Sequence, residues 1–138
     1  MSAQTLLRRL APLLVMALIH YFSSLPGTPG GGGPTAWIPG WLHNLAHIPA
    51  YALLAAGWFV ALPAPHSRRT TLLIGLLTIG YGVFDEWYQS FVPGRQSSVA
   101  DLLRDALGAA IGVAVMRRLA PLREAARHIQ AAPVARDR

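Results

Sequence analysis

Residues 71–116 read TLLIGLLTIGYGVFDEWYQSFVPGRQSSVADLLRDALGAAIGVAVM. Two long apolar runs flank a short turn, Pro93-Gly94-Arg95, with acids at the end of the first run and the start of the second. A helix that crosses a bilayer needs about 20 mostly apolar residues, and each run supplies them with modest polar flanks. Upstream, two more apolar stretches run from about Leu10 to Leu25 and from about Leu45 to Leu62. The pattern predicts an all-α protein, a four-helix transmembrane bundle with helices over about 6–25, 43–62, 70–92 and 98–118. One domain, 1–118, is expected, followed by a basic tail at 119–138.

Composition agrees. Of the 138 residues, 53% are hydrophobic and 13% charged, against roughly 25% charged in an ordinary soluble domain. The net charge of +6 comes from 12 basic residues, all arginine. In a soluble chain that balance would suggest nucleic acid. Here the arginines lie between apolar runs and read as membrane anchors, so no nucleic-acid partner is expected. Cysteine is absent, which excludes disulfides, thiolate chemistry and cysteine metal sites.

Arg8-Arg9 before the first apolar run would fit a signal peptide. Ser23-Ser24-Leu25-Pro26-Gly27 is a poor cleavage site, however, so the first stretch is read as a retained membrane helix. Pro26 to Gly40 is an uncharged Gly/Pro loop. Its Gly30–Gly33 run follows no strand, so it reads as linker and not as a phosphate cradle. Trp37 and Trp41 suit a membrane interface. Arg8-Arg9, Arg68-Arg69 and Arg117-Arg118 all fall on one face if four helices cross. The positive-inside rule then places both termini in the cytoplasm, with the Gly/Pro loop and Arg95 outside. In the tail, Leu119, Leu122, Ala126 and Ile129 keep helical spacing, consistent with a helix lying on an anionic membrane face or with a frayed end.

With this topology the polar residues gather at the outer helix ends. His43, His47 and Tyr51 step by four; Thr78, Gly82, Asp85 and Gln89 by four, three and four; Asp101, Asp105, Gly108 and Gly112 likewise. Each set lies on one side of a helix, and ionisable groups at membrane depth usually face a bundle interior or a wet cavity. Gly108 and Gly112 form a small-xxx-small pair that allows close helix contact.

Plainer readings stand beside these. Ser98-Val99-Ala100-Asp101 matches a capping box, in which Asp101 bonds back to the start of the fourth helix. Asp105 could pair with Arg104 or Arg95 as structural glue. Glu86 points about 100° away from Asp85, so one of the two could simply reach interface water. Nitrogen and oxygen donors would suit Zn or Mn, but no local spacing such as His-Glu-x-x-His is present. No metal ligand and no cofactor is therefore assigned, with a divalent metal kept as a lesser alternative.

Asp85-Glu86-Trp87-Tyr88-Gln89-Ser90-Phe91-Val92-Pro93-Gly94-Arg95, followed by Asp101 and Gly108, resembles the VanZ-like family. That family's pattern has an acidic pair, a Gln, Phe-x-Pro-x-Arg, and then an Asp and a Gly in the last helix. His47 and Tyr51 resemble its His-x-x-x-Tyr, and Ser23-Ser24-Leu25-Pro26 the Ser-rich end of its first helix. The likeness covers about residues 10–118. His43-Asn44 stands where members often carry Asp-Lys, and Asp105 where they often carry Asn. The resemblance implies a multi-pass protein of the bacterial inner (cytoplasmic) membrane, in a family named for a member linked to teicoplanin resistance. It implies no established biochemical activity.

Three functions follow as expectations. The first is a cell-envelope protein binding a membrane lipid or lipid-linked envelope precursor through His47, Tyr51, Asp85, Glu86, Gln89, Arg95, Asp101 and Asp105, with an effect on glycopeptide susceptibility. The second is a membrane hydrolase or transferase, acid–base or metal-dependent, with Glu86, Asp85 and His47 as candidate catalytic residues. The third is a non-catalytic scaffold pinned by the polar cluster. Transport is a weaker reading, because four helices leave little room for alternating access; a homodimer would supply more.

Overall fold

In a computed structural model of the chain, residues 2–27, 40–62 and 65–131 are described. The protein is all-α: α1 (Ala3–Ser23), α2 (Gly40–Ala61), α3 (Arg68–Gln89) and α4 (Val99–Ala131), with no strand among the described residues. The Gly30–Gly33 run and Trp37 lie outside them, as do the side chains of Trp41 and His43.

Local chemistry sets the helix ends. Ser2 caps α1, its Oγ accepting from the Thr5 N–H at 3.2 Å, and Ser67 caps α3 by accepting from Thr70 N–H at 3.1 Å. The cap at Ser67 brings Arg68 and Arg69 into the first turn of α3. At its other end α3 stops at Gln89, so residues 90–92, which the apolar pattern gave to the helix, form turns that lead into the expected reversal at Pro93-Gly94. Gly94, with φ of 75°, takes the left-handed conformation the reversal needs. α4 does not end near Arg117-Arg118 but continues through Pro121 to Ala131 as one helix.

The helices run up, down, up and down. α2 packs on α1, α3 and α4, α3 also packs on α1, and α1 and α4 sit at opposite corners. The closest approach is between α2 and α4. A Cβ placed on Gly108 would lie 3.1 Å from Ile48 Cα, and one on Gly112 2.9 Å from Ala52 Cα. These glycines let α4 rest directly on the α2 backbone, as small residues do at membrane helix interfaces.

The distribution of polarity is inverted relative to a soluble bundle. Inside are apolar groups such as Leu54, Ile74 and Phe59, but also Thr78, Asp85 and Asp105, each with no exposed surface. Outside are large apolar side chains: Leu14, Leu76 and Leu103 are 64%, 68% and 66% exposed. Soluble proteins rarely show such continuous apolar surface. By length and composition α1 and residues Asn44–Ala61 of α2 suffice to cross a membrane. α3 reads as less apolar because its polar residues, Thr71, Thr78, Asp85, Glu86 and Gln89, turn inward, while Leu72, Leu76 and Val83 face out.

Replacing Gly112 by Val should lower stability by about 1–3 kcal/mol, the usual cost of overpacking. Gly75→Ala, where an added Cβ would meet nothing within 4 Å, should be neutral or slightly stabilising. Thermal unfolding of both variants in detergent checks this.

Candidate functional site

The polar residues converge where α1 and α3 end and α2 and α4 begin. Asp85, one turn from the end of α3, is fully buried against α1. Its Oδ2 accepts from Ser23 Oγ at 2.8 Å and from Gln89 Nε2 at 2.9 Å, and Gln89 Nε2 also lies 3.3 Å from Ser23 Oγ. Spacing alone put Asp85 and Gln89 on one stripe of α3; their partner, Ser23, was visible only as the polar end of α1.

Glu86 is also buried, only 5% exposed. The plainer reading of the sequence let one of the two acids reach interface water. Neither does, because α3 lies between two helix ends: Asp85 turns to α1 and Glu86 to the start of α4. Glu86 Oε2 accepts the Ser98 N–H at 2.7 Å. That is the donor a capping box would have given to Asp101. Asp101 instead pairs with Arg104 one turn along.

Asp105, with no exposed surface, is joined to α2: its Oδ1 lies 2.8 Å from His47 Nδ1. It therefore pairs with His47, not with Arg104 or Arg95. Tyr51, one turn beyond His47, holds its ring nearly parallel to the imidazole at 6.4 Å between centroids. Gly82 makes room for this meeting. A Cβ there would sit 2.9 Å from Asp105 Oδ2 and 3.3 Å from Tyr51 Cε1.

Arg95 reaches from the turn to the end of α1, where Nε donates to the Leu25 carbonyl at 3.1 Å and a terminal nitrogen to the Phe22 carbonyl at 2.8 Å. A cation on the last carbonyls of a helix suits the helix dipole. Partial burial draws the Arg95 pKa below its usual value, opposed by the charges of Asp85, Glu86 and Asp101; arginine stays charged regardless. Gly27 N–H bonds to the Pro93 carbonyl at 3.1 Å, so the loop after α1 is tied to the same turn.

Four buried oxygens in this cluster have no hydrogen-bond partner among the described residues: Tyr51 OH, Asp85 Oδ1, Glu86 Oε1 and Asp105 Oδ2. Such groups are uncommon in folded proteins. In addition, His47, Glu86 and Asp105 each offer one ligand atom, all within 4.8 Å of one another. These residues are 39 and 19 positions apart in sequence, so no short motif could have revealed the group.

A sequence model of the VanZ/LLP1 family matches residues 5–120. The chain belongs to the VanZ/LLP1 family. It is a membrane protein of the VanZ type, and the match spans α1, α2, α3 and the first two thirds of α4. No curated protein and no solved structure matches it.

Arg95→Gln should cost about 1–3 kcal/mol, since it removes a charged donor from two helix-end carbonyls. Asp101→Asn should cost less than about 1 kcal/mol, as expected for a partly exposed i,i+3 pair. Chemical unfolding in mixed micelles would separate the two.

Proposed function

We propose that this VanZ-family chain is a multi-pass protein of the bacterial inner membrane, with all four helices spanning and both termini in the cytoplasm. It binds the headgroup of a membrane lipid or lipid-linked envelope precursor at the outer end of the bundle. The observation that carries this reading is the set of buried, partnerless oxygens of Tyr51, Asp85, Glu86 and Asp105 at one end of the helices. Nearly all are acceptors, so the matching headgroup is rich in donors: sugar hydroxyls or an amine. The opposite end holds Arg8-Arg9, Arg68-Arg69 and Arg117-Arg118, which supports the orientation. Arg95 serves by fixing the end of α1 that carries Ser23. Any effect on teicoplanin susceptibility follows from altered access to, or amounts of, such an envelope component.

Glu86→Gln is the informative variant, because Gln keeps an acceptor for the Ser98 N–H and removes the charge. Its melting temperature should equal or exceed that of the wild type, since functional sites are often held at a cost in stability. Its retention of amine-bearing phosphatidylethanolamine, read by native mass spectrometry from mixed phosphatidylethanolamine/phosphatidylglycerol vesicles, should fall about tenfold. A clearly lower melting temperature with unchanged lipid retention would hand the lead to the scaffold reading.

The His47–Asp105 pair at 2.8 Å favours a second reading, an acid–base enzyme on the same class of substrate. A carboxylate that holds one imidazole nitrogen is a common way to orient a catalytic histidine. Glu86, within 4.8 Å of both, would be the second proton-transfer group. Turnover of a lipid-linked substrate that vanishes in a folded Glu86→Gln protein is the outcome this reading requires.

A further inference from the structure

We propose that His47 of α2, Glu86 of α3 and Asp105 of α4 form a binding site for a single divalent cation of the Zn2+ or Mn2+ class. Each residue presents a ligand atom, and the three atoms lie within 4.8 Å of one another, so that small side-chain shifts would bring them round one ion. Proximity among acids would not suffice alone. The second observation is that two of the three side chains are at least nine-tenths buried and keep an oxygen with no hydrogen-bond partner: Glu86 Oε1 and Asp105 Oδ2. A buried carboxylate oxygen without a donor is costly, and a cation offsets that cost.

The way the other oxygens are used is consistent with this. Glu86 Oε2 is held by the Ser98 N–H, and Asp105 Oδ1 by His47 Nδ1. Each carboxylate is thus oriented by one oxygen while the other remains available. The space is kept by Gly82, since a Cβ there would lie 2.9 Å from Asp105 Oδ2. The Tyr51 ring borders the same space, since that Cβ would also lie 3.3 Å from its Cε1.

The donor set selects the ion. One imidazole and two carboxylates suit Zn2+, Mn2+ or Co2+. Ca2+ prefers six to eight oxygens, and Mg2+ keeps most of its waters. The absence of cysteine removes thiolate competition anywhere in the chain. The ligands come from three different helices, so the ion would also clamp α2, α3 and α4 at one point.

The test uses the untagged full chain in detergent with native lipid, treated with EDTA and then freed of it. Calorimetric titration with ZnCl2 and MnCl2 should show about one equivalent bound per chain for at least one ion. Glu86→Gln and Asp105→Asn should each weaken that binding by tenfold or more, and Asp101→Asn should leave it unchanged. Should Asp105→Asn fail to fold, Glu86→Gln alone decides, because it keeps the Ser98 hydrogen bond. Co2+ added to the wild type should give the weak visible bands of nitrogen–oxygen coordination. Binding below about a tenth of an equivalent for all three ions overturns the proposal. So does stoichiometric binding that survives in a folded Glu86→Gln protein. Lipid retention measured in EDTA keeps the headgroup reading separate: a chain that holds its lipid without metal supports that reading, whatever the titration gives.

Discussion

The contact of α4 with the backbone of α2 is the constraint on which the rest of the molecule depends. In lipid, apolar side chains gain little by meeting one another, so helices associate through close packing and buried hydrogen bonds. Gly108 lies against Ile48, and Gly112 against Ala52. That register has a chemical consequence. His47 precedes Ile48 by one residue, and Asp105 precedes Gly108 by almost one helical turn. Seating the two glycines on α2 therefore sets Asp105 against the imidazole. A bulkier residue at either position would separate the helices and the pair together.

Around this seam the other polar groups work as clasps between helix ends. Asp85 joins α3 to α1 through Ser23, Glu86 joins α3 to the first turn of α4, and Arg95 returns from the turn to close the end of α1. Each bond satisfies a polar group at a helix end that would otherwise be buried without a partner. The outer surface is left to leucine, valine and aromatic side chains, among them Phe84, Trp87 and Phe91, which form a run of ring contacts along the exposed side of α3 and the turn after it.

Much of this was legible in the residues and some was not, for definite reasons. The all-α, four-helix class follows from apolar runs of spanning length, and the family from the block Asp85–Arg95 with Asp101 and Gly108. What periodicity cannot give is which neighbour each side chain finds. Asp85 and Glu86 are adjacent and point apart, and a single-helix view sends one of them to water; a helix with partners on two sides buries both. The Ser98–Asp101 spacing is that of a local cap, yet a carboxylate 12 residues upstream takes the donor. The trio His47, Glu86 and Asp105 is invisible to any motif because three helices supply one member each. The reach of α4 beyond Arg118 was obscured by its arginines, which read as the end of an apolar span, whereas helix formation as such has no quarrel with them.

The pattern of satisfied and unsatisfied oxygens bears on why so polar an end persists. If the cluster served only to hold helices together, each carboxylate would be most economically used with both oxygens bonded, or replaced by an amide or an apolar side chain, since a half-satisfied buried network is worse than an apolar one. Instead Asp85, Glu86 and Asp105 each have one oxygen anchored and the other without a partner. Anchoring removes the rotational freedom that would let the second oxygen find a partner nearby, so the arrangement presents acceptors in fixed positions. Gly82 keeps the space beside Asp105 clear where any larger residue would fill it. Preorganised acceptors are what a binding site calls for, which is the ground for preferring the proposed binding role to a scaffold.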